Sequence, residues 1–239
     1  MSGHSKWSKV KRIKGPLDAK RGKIFSKLGR EISIAAKIGG GDPDMNPRLR
    51  MVMLKCRSAN MPVDNIARAI KKGTGGGEAG NFEDLTYEIY GPHGVALLVE
   101  LTTDNRNRTA AEIRSIVTKN GGSIATAGAV SRLFHRKGRI FIPRDAASED
   151  ALMELALEAG AEDFKADEEG FEIITDPADF EVVHRAVEGR GLKPEVAEIA
   201  SVPALNVPLA DEAAAADVHR LVEALEEDDD VKEVYTNAG

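Results

Sequence analysis

The glycine-rich run Gly73-Thr74-Gly75-Gly76-Gly77-Glu78-Ala79-Gly80 divides this sequence where its hydrophobic period changes. Before the run, apolar residues recur every three to four positions, the spacing of one helix face. After it they recur every second position, the spacing of one strand face. The run itself has the composition of a flexible linker. The sequence therefore predicts an all-helical unit followed by α+β structure.

In the first part, Pro16 can open a helix, and Gly39-Gly40-Gly41 stops it after Ile38. Ile24, Leu28, Ile32 and Ala35 fall within one arc of that helix, with Phe25 at its edge. Lys20, Lys23, Lys27, Arg30 and Lys37 fall in a different arc about 100° wide, so one face packs and the other is a basic stripe. Asn46 is placed to cap a second helix from Pro47, which packs through Leu49, Val52, Met53 and Cys56. A third begins near Pro62, uses Val63, Ile66, Ala67 and Ile70 for packing, and closes at Gly73.

Beyond the linker, Leu85 to Tyr90 and Val95 to Leu101 read as a hairpin joined through Gly91-Pro92-His93-Gly94. A helix follows, with Thr109 and Glu112 spaced as a capping box and Asn120-Gly121-Gly122 at its end. A strand is expected over Val130 to His135. From Arg139 the order is β-α-β-β-α-β, the split arrangement that gives a four-stranded antiparallel sheet with two helices on one face. The remaining helix (211–227) and strand (Val231 to Thr236) do not fit that complete module and return to the earlier sheet. The expected domains are a basic arm and helical domain (1–79), a discontinuous α+β domain (80–136 and 204–239), and an inserted acidic one (137–203).

The net charge of −6 conceals a strong asymmetry. Residues 1–72 carry 18 Lys+Arg against 5 Asp+Glu, whereas residues 145–239 carry 6 against 27. Such a distribution suits a polyanion-binding head on a body that repels polyanions, or two halves that neutralise each other. Lys6, Lys9, Lys11, Arg12 and Lys14 surround Trp7 in the first segment, with His4 before them. Cations attract phosphates, and an indole face can stack on an unpaired base. Arg106 and Arg108, in Asp104-Asn105-Arg106-Asn107-Arg108-Thr109, lie where a strand ends and a helix starts. There they can grip phosphate or pair with nearby carboxylates, and the sequence supports both readings equally.

No catalytic constellation emerges. Five His residues lack metal-ligand spacing, and the single Cys56 cannot form an intramolecular disulfide. Gly75, Gly77 and Gly80 match a G-x-G-x-x-G spacing but follow a helix rather than a strand, so they read as linker. The acidic run Glu226 to Asp230 reads as a solvated helix end rather than a cation site. No cofactor, metal or small-molecule substrate is expected. The longest apolar run, Val95 to Val99, is far short of the ~20 residues a membrane span requires. No export signal is visible, and a cytoplasmic location is the expectation.

Several segments closely resemble the YebC family. They are Gly3-His4-Ser5-Lys6-Trp7, Asp18 to Phe25, Gly39 to Asp44, Asn46-Pro47-Arg48-Leu49-Arg50, Asp104 to Thr109, Glu158 to Asp163 and Glu233-Val234-Tyr235. The resemblance covers essentially the whole chain. It implies a helical N-terminal domain and two ferredoxin-like α+β domains, one inserted in the other. It also implies a DNA-binding transcriptional regulator or a translation factor bound to ribosomal RNA. Arg21, Arg48 and Arg50 join the candidate nucleic-acid-binding residues. The alternatives are a protein-interaction adaptor working through the acidic inserted domain and, less favoured, a metal-dependent nuclease.

Overall fold

The computed structural model describes residues 18–75 and 82–239; the expected basic arm, Pro16 and most of the glycine linker lie outside them. Three helices come first: α1 (Asp18–Gly39), α2 (Pro47–Ser58) and α3 (Val63–Thr74). Leu28, Ile32, Ala35, Leu49, Val52, Cys56, Met61, Ile66 and Ala69 form their common core. Full burial of each large aliphatic side chain is worth about 1.5–3 kcal/mol, which outweighs the modest helix propensity of the segments. Asn46 caps α2 as expected, accepting from the Leu49 N–H at 3.1 Å. Its amide also donates to the carbonyls of Ala35 and Gly40, at 2.9 and 2.8 Å, fastening the α1–α2 turn. Three expected packing residues are instead exposed, namely Ile24 (42%), Val63 (78%) and Ala67. On α3 the buried positions are Ile66 and Ala69, because α1 approaches from that side.

The rest alternates strands and helices: β1 (Glu83–Tyr90), β2 (Ala96–Thr103), α4 (Arg106–Lys119), β3 (Ser123–Ile124), β4 (Phe134–Pro143), α5 (Glu149–Glu158), β5 (Asp163–Ala166), β6 (Gly170–Thr175), α6 (Phe180–Gly189), β7 (Val196–Pro203), α7 (Glu212–Glu226) and β8 (Val231–Thr236). Two four-stranded sheets result, ordered β3-β1-β2-β8 and β5-β6-β4-β7. The second has the split β-α-β order, with β5 and β6 paired antiparallel and β6 beside β4. In the first, the β1–β2 hairpin is central.

Two elements differ from the sequence expectation. The strand foreseen at Val130 to His135 is a 3-10 turn (Ser131–Leu133) leading into β4, and the fourth strand of the first sheet is β3. The foreseen capping box is not one, since Asn105 caps α4 and accepts from Arg108 N–H at 3.1 Å. Thr109 lies inside the helix and is fully buried.

The described residues form two compact units, 82–135 with 201–239 and 18–75 with 136–200. In the first unit, Leu97, Val99 and Leu101 of β2 face α4 and α7, while Ala96 and Leu98 face Val130, Leu133 and Phe134. Both faces of β2 are covered, which accounts for its nearly continuous apolar sequence. Glu88 holds the covering loop by accepting from the N–H groups of Gly128, Val130 and Ser131, at 2.7, 2.5 and 2.8 Å. Partial burial pushes its pKa up, but the backbone donors outweigh that and lower it.

In the second unit the β4–β7 sheet packs Ile140, Ile142, Phe171 and Ile173 against Leu152 and Ala156 of α5 and Phe180, Val183 and Val187 of α6. Met51 and Leu54 of α2 pack against this same core. The helix α2 is thus apolar on two sides, one for each core. Arg50 Nε donates to Glu181 Oε1 of α6 at 3.1 Å beside that seam. His184 stacks on Phe180, and burial lowers its pKa, with Glu188 opposing and Arg57 reinforcing the shift.

Candidate nucleic-acid interface

Residues 18–75 carry 13 Lys+Arg against 5 Asp+Glu, so the three helices form a cationic unit by composition alone. Where those cations point is decided by what the helices bury. With α2 packed on two sides, Leu49, Val52 and Cys56 on one and Met51 and Leu54 on the other, little of its surface is left to solvent. The outward faces of α1 and α3 remain.

On α1, Lys23 is exposed and Lys27 and Arg30 are half-exposed, so these expected residues do share a solvent-facing row. Lys20 and Arg21 belong to the same helix, but their side chains lie outside the described residues. His4, Lys6, Trp7, Lys9, Lys11, Arg12 and Lys14 lie outside them too. The helix α3 adds a second row that the sequence reading missed: Arg68, Lys71 and Lys72 are all exposed and share an arc about 100° wide. The signal was present in their spacing, which puts them on the side of the helix away from Ile66 and Ile70. Lys23, Lys71 and Lys72 form no ion pair among the described residues.

The two rows are held by a close helix crossing. A Cβ on Gly73 would sit 2.3 Å from the Ser33 carbonyl oxygen, so glycine alone lets α3 approach α1 there. The Ser33 hydroxyl donates to the Ala69 carbonyl at 2.9 Å across the same contact. Between α2 and α3, Asn60 adopts φ 55°, the left-handed conformation usually given to glycine in a tight helix–helix turn.

The two remaining expected arginines of this unit are placed differently. Arg48 is half-exposed at the start of α2. Arg50 donates through Nη1 to the carbonyls of Pro43 and Asp44, at 2.7 and 3.0 Å, as well as to Glu181. It serves as an internal strut.

In the other unit, Arg106 is exposed in the first turn of α4, while Arg108 is committed within the fold. Arg108 Nη2 donates to Asp230 Oδ2 at 2.9 Å and Asp104 Oδ1 at 3.0 Å, which raises its already high pKa. Thr109 Oγ1 lies 2.6 Å from the same Asp230 oxygen and 2.7 Å from Thr103 Oγ1. Glu112, Asp228 and Asp230 bring carboxylate oxygens within 4.8 Å of one another, the one such cluster among the described residues. With Arg108 and Thr109 already on Asp230, the cluster is accounted for as the joint between α4 and β8. The buried thiol of Cys56 is likewise quiescent, its pKa raised to about 11 by desolvation, with Glu31 adding to the shift. No described helix is long and apolar enough to cross a membrane.

Residues 5–76 match the model of the TACO1/YebC protein N-terminal domain, and residues 82–238 that of the TACO1/YebC second and third domain. A protein of Rubrobacter xylanophilus named "Probable transcriptional regulatory protein" is 52% identical over 238 residues, spanning 99% of this chain and 95% of its own. One of the same name from Syntrophus aciditrophicus is 54% identical over 240 residues, with the same coverage of 99% and 95%. Among solved structures, a conserved hypothetical protein, Aq1575, from Aquifex aeolicus is similar with a TM-score of 0.85 and 47% identity, covering 98% of this chain and 97% of that one.

Proposed function

The chain belongs to the TACO1/YebC family, and from that premise we propose that it is a non-enzymatic regulator of gene expression that binds nucleic acid. The observation that carries this reading is the pair of cationic rows, Lys23, Lys27 and Arg30 on α1 and Arg68, Lys71 and Lys72 on α3. They flank a helix whose own faces are both used for packing. Rows of this kind neutralise phosphates and release counterions, which gives affinity without sequence preference. The basic segment bearing Lys6, Trp7, Lys9, Lys11, Arg12 and Lys14 extends the same chemistry and adds one aromatic ring for stacking on an unpaired base. Arg106 would contribute a further phosphate contact, whereas Arg50 and Arg108 would act by holding the fold.

The names of the relatives point to transcription and hence to DNA. The tryptophan-bearing segment favours structured or single-stranded RNA, and ribosomal RNA is the form we place first. Crosslinking of the cellular protein, followed by sequencing of the bound RNA and DNA, separates them. Ribosomal RNA recovered at one discrete location, and lost when Lys23, Lys71 and Lys72 become Glu, is the expected result. Promoter DNA without ribosomal RNA would make the protein a transcriptional regulator. Recovery of neither would overturn the nucleic-acid reading.

A further inference from the structure

The acidic module has an outward face that carries two adjacent rows, one apolar and one anionic. Residues 145–200 contain 17 Asp+Glu and 4 Lys+Arg, and α5 contributes Glu149, Asp150, Glu154 and Glu158 with no basic residue. Leu152 and Ala156 of α5 are buried in the module's core. On the open side, Met153 (40% exposed) and Leu157 (54% exposed) stand one helical turn apart and form an apolar row. Beside them Asp150, Glu154 and Glu158 form a second row at the same spacing.

Those three carboxylates form no ion pair among the described residues, in contrast to Glu149, which binds Arg144 at 2.9 Å. Neighbours on the same module are also paired: Glu162 with Lys137, Glu172 with Arg139, and Glu181 with Arg50 and Arg185. Like charges four residues apart on a helix are destabilising by a few tenths of a kcal/mol for each pair. An exposed apolar row adds hydration cost alongside them. A single partner relieves both.

We infer that the outer face of α5 is a docking strip for a cationic amphipathic helix of another protein. Two aliphatic side chains of that helix, one turn apart, cover Met153 and Leu157. Its Lys or Arg residues reach Asp150, Glu154 and Glu158. The charge of the strip fixes the partner's class, since a nucleic acid would be repelled by these carboxylates and an acidic helix would be too. Helix-in-groove recognition uses this pattern of paired anchors at helical spacing. This inference is independent of the nucleic-acid reading: it concerns the other pole of the charge asymmetry and a different class of ligand.

The test uses the full chain with methyl-labelled methionine and a synthetic helical peptide of lysine and leucine, its leucines at i and i+4. Saturable binding is expected, with a shift of the Met153 methyl resonance. Met153→Gln with Leu157→Gln, both good helix formers, should weaken it about tenfold, and so should Glu154→Lys with Glu158→Lys. Urea midpoints and nucleic-acid affinity should not change in the glutamine variant, because both side chains are exposed. Equal binding of a lysine–glutamine peptide of the same charge would reduce the strip to nonspecific electrostatics and overturn the inference. Binding unaltered by the glutamine variant would do the same. A third overturning result is a shift of the Met153 resonance when Lys9→Glu and Lys11→Glu are introduced without peptide, because the strip would then belong to the chain's own basic segment.

Discussion

Arg108 and Asp230, 122 positions apart in sequence, meet where α4 begins and β8 is about to start, with Nη2 of the arginine 2.9 Å from a carboxylate that is 5% exposed. The same oxygen takes the Thr109 hydroxyl, which in turn reaches Thr103 at the end of β2. One carboxylate therefore ties the start of a helix to two adjacent strands. Asp230→Ala leaves the buried Thr109 hydroxyl short of a partner, and a loss of about 1–3 kcal/mol is expected in urea unfolding. Arg108→Ala should lose less, because its side chain is 43% exposed and its other contacts are at the surface. Nucleic-acid affinity should be unchanged in Arg108→Ala.

Reversal of charge in the two cationic rows tests a different property. Lys23→Glu, Lys71→Glu and Lys72→Glu alter exposed side chains, so unfolding midpoints should hold. Titrations of nucleic acid at several salt concentrations should show weaker binding. The slope of log affinity against log salt should flatten by roughly 0.7–0.9 for each phosphate contact removed. An unchanged slope would exclude these lysines from the interface.

Glu88 makes the loop over the back of β2 sensitive to acid. Its folded-state pKa is depressed below the ordinary 4.5 by the backbone donors, which prevail over desolvation. The unfolded chain therefore takes up a proton first as pH falls. The contribution of Glu88 is present above about pH 4.5 and is lost as pH falls through the lower folded value. Glu88→Gln should be less stable than the parent at pH 7, and the difference should shrink as the pH is lowered below 4. Urea midpoints at the two pH values give the answer.

Gly73 and Gly22 are opposite cases of one residue type in helices. Gly73→Ala places a methyl group 2.3 Å from the Ser33 carbonyl and should destabilise by about 1–3 kcal/mol as α3 is forced off α1. Gly22→Ala meets nothing within 4 Å on α1 and should stabilise by roughly 0.5–1 kcal/mol. Calorimetric melting of both variants should show shifts of opposite sign.

The sequence disclosed most elements because their periods are strong. The cap at Asn46 held, as did the glycine stop after α4 and the split order of the acidic module. What it hid was tertiary. Strand β3 is two exposed residues long, and nothing in Ser123-Ile124 marks a strand until β1 supplies the partner. Thr109 and Glu112 fit a capping box by spacing, yet Asn105 sits one strand-end nearer and takes the cap. On α2, Met51 and Leu54 lie away from the Leu49–Cys56 face and had no role until a second core appeared beside them. For the candidate interface, the α1 row was legible from spacing. The α3 row was legible in the same way, since Arg68, Lys71 and Lys72 fall on the side away from Ile66 and Ile70.

The double use of α2 governs how this protein can be dissected. Excision of residues 137–203 would uncover Met51 and Leu54, turning an internal wall into a greasy scar on an otherwise cationic fragment. Such a fragment would self-associate through that scar, and any oligomer it formed would be an artefact of surgery. Point substitutions in the intact chain are the scalpel this architecture accepts.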